Sequence, residues 1–242
     1  MQDMEKRALS LLEAMGDPAC YEDMVQTILR GQAQVIAAGE EGVLVRHRAA
    51  ELYMIAAGSY ENTLRLAGMI EVPCSEVMLH GCPDEETARR IGDKLRFAHT
   101  FAFDAYAYYG EIPPENAQLD VRVLGEDHVD FLYENYGHAS REYVAARTKA
   151  GVMLGAYVGG EIAAFIGEHA EGSMGLLHVM PAFRRMGLGF ALEREAVRQT
   201  MLRGHRPFGQ VYPENTASHA LQRRLGMTKA EGRQYWLTND EG

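Results

Sequence analysis

Between Leu176 and Leu192 the apolar pattern of the chain changes from that of a strand to that of a helix, with a proline, two arginines and two glycines at the change. Leu176, Leu177 and Val179 form a short run of the kind buried in a sheet, and Pro181, which has no N–H to give a ladder, ends it. Beyond it Leu188, Ala191, Leu192, Ala196, Val197 and Met201 recur at helical spacing. Arg194, Glu195, Arg198 and Arg203 fall largely on the other side, and Gly204 stands where the helix should stop. A strand, a tight loop and a helix in succession point to the α/β (α+β) class.

Gly187 and Gly189 lie where that loop becomes the helix. Unpaired backbone N–H groups face outward at such a point, and the missing Cβ atoms let an anion approach closely. Arg184 and Arg185 add positive charge beside it. The stretch reads either as a phosphate site or as a glycine turn with two solvated arginines. Downstream, Asn215 is a good N-cap, Ala217, Ala220, Leu221 and Leu225 give an apolar face, and Gly226 suits a left-handed C′ position.

The formal charge of −10 argues against a nucleic-acid partner, because a phosphate backbone is gripped by a basic face. The exception is local: Arg184, Arg185, Arg194, Arg198, Arg203 and Arg206 face only Glu193 and Glu195 in that stretch, with Arg223 and Arg224 following. A basic island in an acidic chain suits a compact polyanion. No run is long and apolar enough to cross a bilayer, and residues 1–16 lack a signal-like core, so the expectation is a soluble, cytoplasmic protein without membrane contact. Cys20, Cys74 and Cys82 have no metal-ligand spacing and read as reduced, buried thiols, so no metal is expected.

Taken in order, helices are predicted over Met4–Met15 and Tyr21–Ile28, strands over Gly42–Val45 and Leu52–Ala57, and a helix over Ser59–Met69. A strand at Val77–Leu79, a helix at Pro83–Leu95 and an aromatic strand at Thr100–Tyr109 close the first half. Ile112, Pro113, Pro114 and Glu115 read as a linker. After it come a strand at Leu119–Leu124, helices at Asp127–Tyr136 and Ser140–Thr148, and strands at Val152–Val158 and Glu161–His169 joined through Gly159 and Gly160. Gln234–Thr238 reads as the closing strand.

The spacing of Arg184, Gly187 and Gly189, with Val179, Met180 and Pro181 before it, resembles the pyrophosphate loop of the GNAT superfamily of acyl-CoA-dependent N-acyltransferases, whose signature is Arg or Gln, x, x, Gly, x, Gly or Ala. The stretch Val211–Met227 resembles the superfamily's second motif, in which an Asn opens a helix that closes on Leu-Gly-Phe; here Leu225, Gly226 and Met227 close it. The element order of Leu119–Leu237 is similar to the GNAT fold, a mixed central sheet flanked by helices. Residues 1–112 resemble a degenerate, non-catalytic copy, since Gly58–Thr63 offers no basic residue and no second glycine; residues 118–242 form the expected catalytic domain. The tandem order and the ending at Arg233–Leu237 look similar to the glycine N-acyltransferase-like branch.

That resemblance implies acetyl-CoA, or another acyl-CoA, as cosubstrate and a small primary amine or amino acid as acceptor. The Val179 N–H would face the thioester oxygen, backbone groups of Arg185, Met186, Gly187, Leu188, Gly189 and Phe190 would hold the pyrophosphate beside Arg184, and Asn215 and Ser218 would line the other side of the acyl-CoA arm. The superfamily's usual acid is a tyrosine seven positions after the Asn, where this chain has Gln222, which supplies no proton at neutral pH. Tyr212 is the candidate acid in its place, or else a packed aromatic at a strand end. His178 is the candidate base, or else a structural histidine; Glu168, His169 and a water relay are further candidates. Two other functions stay open: a non-catalytic acyl-CoA-binding sensor or partner module, and a protein N-terminus or lysine acetyltransferase. The acceptor and the oligomeric state are not legible.

Overall fold

A computed structural model of the chain describes residues 2–49, 52–70 and 74–239. It contains two compact units that are not consecutive stretches of chain. The first takes the residues up to Ala107 together with Phe208–Ala220 and the stretch from Thr228 onward; the second takes Tyr108–Pro207 and Leu221–Met227.

The first unit is built from α1 (Asp3–Ala14), α2 (Pro18–Leu29), β1 (Ala33–Gly39), β2 (Gly42–His47), β3 (Leu52–Ala56), α3 (Tyr60–Ala67), β4 (Glu76–His80), α4 (Glu85–Leu95) and β5 (His99–Ala107). From the end of the chain it adds β10 (Phe208–Val211), the start of α8 (Thr216–Leu225) and β11 (Thr228–Thr238). Its strands form one mixed seven-stranded sheet in the order β1-β2-β3-β4-β11-β5-β10, parallel only between β3 and β4. The last strand of the chain therefore lies between β4 and β5.

This sheet is covered on both faces, and strand periodicity says how. Val43, Val45, Met54 and Met78 pack with α1 and α2, whereas Leu44, Tyr53, Ile55, Val77, Leu79, Tyr235 and Leu237 pack with α3 and α4. Two faces explain why β2 to β4 read as continuous apolar runs. Burial also pushes the Cys20 thiol up to about 12 and that of Cys82 to about 11, so both stay protonated and inert.

Several boundaries differ from the sequence expectation. The helix α2 starts at Pro18, three residues before the expected Tyr21, because a missing N–H costs nothing at the first helical position. The strand β1 was not expected: in Ala33–Gly39 only Val35 and Ile36 favour a strand, among three alanines, a glutamine and a glycine, and pairing with β2 forms it. Similarly, β11 starts at Thr228, six residues before the expected Gln234, and its polar beginning pairs with β5 across a register shift between Lys229 and Arg233.

The second unit holds β6 (Asp120–Val123), α5 (Val129–Tyr136), α6 (Arg141–Lys149), β7 (Leu154–Val158), β8 (Glu161–Glu168), β9 (Met174–Val179) and α7 (Leu188–Leu202). Its sheet is antiparallel throughout, in the order β6-β7-β8-β9. Gly159 and Gly160, both at positive φ, make the tight turn between β7 and β8. One face buries Phe165 and Leu176 with Val129, Leu132 and Val144 of α5 and α6, and α7 packs against β7, β8 and β9. Among the described residues no helix is long and apolar enough to cross a membrane.

Candidate functional site

The strand before the glycine loop is bulged. Phe165 stands opposite His178 and Gly167 opposite Gly175, so two residues of β9, Leu176 and Leu177, face one of β8. Leu176 takes the extra turn of backbone at φ 56, a conformation a branched side chain adopts only at a cost of about 1–3 kcal/mol, held here by its burial in the core. Beyond the bulge the ladder resumes with the Met180 N–H donating to the Ala163 carbonyl at 2.9 Å.

That bond settles the direction of Val179. In an antiparallel ladder bonded and non-bonded pairs alternate, so the N–H and C=O of Val179, opposite Ala164, both point away from β8. The Val179 carbonyl accepts from Arg184 Nε at 3.2 Å, which fits this direction. Because β9 is the last strand of its sheet, the Val179 N–H leaves that sheet unpaired. His178 points to the face opposite Val179 and stacks on Phe165, with ring centroids 5.4 Å apart. Burial, then the charges of Arg184 and His138, hold its imidazole below the ordinary value, so it is neutral at pH 7 and can accept a proton.

The loop itself is short. A single turn over Pro181–Phe183 leads to Arg184 in extended backbone, Arg185 at φ 67 and Gly187 at φ 78, the residue that caps α7. A left-handed cap without a side chain leaves the helix start open: no side chain bonds to it, and the first turn carries no acid. The first helical bond runs from the Ala191 N–H to the Gly187 carbonyl at 3.1 Å, so the N–H groups of Leu188, Gly189 and Phe190 have no acceptor within the helix. Nothing lies within 4 Å of a Cβ placed on Gly187, which is open ground in front of those donors. A Cβ on Gly189 would touch Val179 Cγ2 at 3.4 Å, so this glycine brings the helix close against β9. Arg184, Arg185 and Met186 are exposed around the opening, and Leu188 is the buried anchor behind it.

The basic island is thinner than the sequence suggests. Arg203 pairs with Glu168 of β8, and Arg198 pairs with Glu195 and Glu115. Arg224 lies over the Phe190 ring, 4.0 Å from its centroid, and Arg206 over Tyr109. Arg184 and Arg185 are the cations on the loop itself.

The remaining expected residues stand in the first unit. Asn215 caps α8, its Oδ1 accepting from the Ser218 N–H at 3.0 Å, which leaves its amide donors for other partners. Tyr212, 40% exposed, sits at the end of β10 with its ring 4.5 Å from that of Phe103 and edge-on to Phe101. Burial and the charge of Glu214 push its phenol up, so it carries its proton through the neutral range.

Sequence reasoning missed one pair. Gln222 is buried, and its Nε2 donates to Glu193 Oε1 at 2.7 Å. The residue at the usual acid position thus has a packing partner of its own. Glu193, counted above only as one of the two acids in the basic stretch, is 4% exposed. The helical stripe that buries Leu192, Ala196 and Val197 also passes through position 193, and that stripe is the signal that could have found it. Among the described residues no group of three His, Cys, Asp or Glu side chains could hold a metal ion.

Comparison with known proteins fits this geometry. Residues 151–237 match the family model described as FR47-like protein. A Drosophila protein of known structure superposes with a TM-score of 0.62 at 15% identity, over 98% of this chain and 89% of that one. A protein assigned to the GNAT acetyltransferase family from Novosphingobium aromaticivorans gives 0.55 at 18% identity, over 92% and 96% of the two chains. A GCN5-related N-acetyltransferase from Kribbella flavida gives 0.56 at 15% identity, over 94% and 97%. No curated protein matches the chain. The chain has the GNAT fold; none of these likenesses singles out the glycine N-acyltransferase-like branch.

Proposed function

We propose, from the GNAT fold as premise, that the protein transfers an acyl group, in the first instance acetyl, from coenzyme A to the primary amine of a small molecule or amino acid. The observation that carries this reading is the open start of α7, where Gly187 at φ 78 exposes unshared N–H donors beside two arginines. Those donors, at Leu188, Gly189 and Phe190, fit a pyrophosphate, the backbone of Arg185, Met186 and Gly187 is assigned to the same group, and Arg184 adds charge. The unpaired Val179 N–H fits a thioester carbonyl, where a fixed donor counts most as negative charge develops on the oxygen. Bound acyl-CoA supplies an activated carbonyl and a thiolate leaving group.

The chain's own groups would handle the protons. His178, neutral at pH 7, is the candidate base for the proton an attacking amine sheds. Tyr212, with its phenol kept protonated, is the candidate acid for the departing sulfur. Asn215 and Ser218 are assigned to the acyl-CoA arm. Residues 1–112 are assigned a non-catalytic role, and the free thiols Cys20, Cys74 and Cys82 support a cytoplasmic, reducing location.

Thermal unfolding with and without acetyl-CoA or coenzyme A tests the reading, because a ligand bound only by the native state must raise the midpoint. A rise is expected with both, followed by thiol release in an amine panel. No shift at millimolar ligand would overturn it. The bonded, buried Gln222 favours a second reading, an acyl-CoA-binding module without catalysis; ligand stabilisation with no turnover on small amines or peptides would select it.

A further inference from the structure

One buried group on α7 is unaccounted for by any of this. Gln222 Nε2 bonds to Glu193 Oε1, yet the other polar atom of each side chain, Glu193 Oε2 and Gln222 Oε1, is buried and has no hydrogen-bond partner among the described residues. Two bare acceptors at the ends of one bonded pair are costly, since buried polar groups are almost always paired. One proton removes both faults. A carboxylic acid accepts from the amide N–H through one oxygen and donates its O–H to the amide oxygen through the other, which leaves neither atom bare.

No countercharge favours the carboxylate instead. On α7, Arg198 is held by Glu195 and Glu115, Arg203 by Glu168 of β8, and Arg194 makes no ion pair with Glu193. Glu161 lies at the exposed start of β8, His178 of β9 lies over Phe165, and Tyr157 of β7 carries Arg122 on its ring. On α8, Arg224 lies over Phe190 and Arg223 is exposed. Burial therefore dominates and pushes the Glu193 carboxyl up to about 7, with the Gln222 bond pulling the other way.

We propose that Glu193 is a positioning residue: its protonated carboxyl and the Gln222 amide form a two-bond clamp from α7, the helix that begins at the Gly187 loop, to α8, and loss of the proton opens the clamp and weakens anion binding at the loop. The clamp is inferred from the observed bond and the two bare buried oxygens; its effect on binding rests on the coenzyme A reading above. Its sign follows from linkage. A carboxyl whose folded value lies above its unfolded one contributes stability that is full below the unfolded value and gone once the pH has risen through about 7.

The test uses the full chain, with E193Q as the neutral, same-shape variant. Calorimetry with coenzyme A at pH 6 and pH 8.5 should show the wild type weakening about threefold or more relative to E193Q. The ligand's own phosphate titrates alike with both proteins, so the difference reads Glu193. Equal pH profiles would overturn the effect on binding. If neither protein binds coenzyme A, the cofactor reading fails, and the clamp is judged by unfolding midpoints: the wild type should lose ground to E193Q from pH 5 to pH 8, and parallel profiles would overturn it. Should E193Q not fold, carbon-13 NMR of glutamate carboxyls in the wild type decides, because one must titrate near neutrality; none doing so would sink the clamp.

Discussion

Helices α3 and α7 each follow a strand of the chain, and they treat their first turns in opposite ways. After β3, Ser59 caps α3 from extended backbone, with its hydroxyl accepting from the Asn62 N–H at 3.2 Å, and Glu61 sits in the first turn. After β9, Gly187 caps α7 from left-handed backbone with no side chain, no acid follows, and Arg184 and Arg185 precede it. The positive end of a helix is common to both. At α3 the chain spends it on its own hydroxyl and carboxylate, whereas at α7 no side chain of the cap and no acid of the first turn answers it. The proposed anion site thus rests on what the cap omits.

The comparison can be broken most severely by removing residues 228–242. The seven-stranded sheet then loses β11 from between β4 and β5, and the first unit, α3 included, should lose its cooperative unfolding transition in circular dichroism. A retained transition would mean that β4 and β5 can close up directly. Next in size is Gly187→Trp, which puts bulk over the open donors. Coenzyme A affinity should fall about 100-fold, the loss of two charge-assisted bonds near 1.5 kcal/mol each, while the protein stays folded. Unchanged affinity in calorimetry would remove the basis for a phosphate site.

Tyr212→Phe should lower kcat by about 100-fold, the lower end of what a general acid contributes, with the KM for acyl-CoA unchanged. An equal rate would return Tyr212 to the role of a packed aromatic. On the base side, the lowered value of His178 should place the acid limb of the kcat/KM profile below pH 6.5, and Arg184→Ala, which removes one cause of that lowering, should move the limb upward. A limb that ignores Arg184→Ala would exclude His178. The smallest effect sharpens the contrast from the closed side: Ser59→Ala should cost about 1 kcal/mol of stability and leave coenzyme A binding untouched.

Much of the candidate site was legible because its signals are local. Pro181, the two glycines and the helical stripe from Leu188 lie within a few residues of one another, and turn chemistry and capping are properties of such short stretches. The direction of the Val179 N–H was not legible, since it depends on a bulge whose existence is a relation between β8 and β9. The burial of Glu193 went unread because it was weighed for its charge alone and not for its place on the stripe. The strand β1 went unread because Val35 and Ile36 are a short signal among alanines, a glutamine and a glycine, and pairing with β2 decides it.

By itself, then, the order of residues determined the run of helices and strands apart from β1, the open glycine cap of α7, the Asn215 cap of α8 and the departure from tyrosine at Gln222. Each of these rests on φ preference, hydrogen-bonding chemistry or periodicity within about one or two turns of chain. Only the tertiary structure decided that β10 and β11 complete the sheet begun by β1 to β5, and that Glu193 meets Gln222 in a buried pair. Strand partners and buried pairs are chosen by burial and by the pairing of backbone and polar groups far apart in sequence, and no short stretch carries that information.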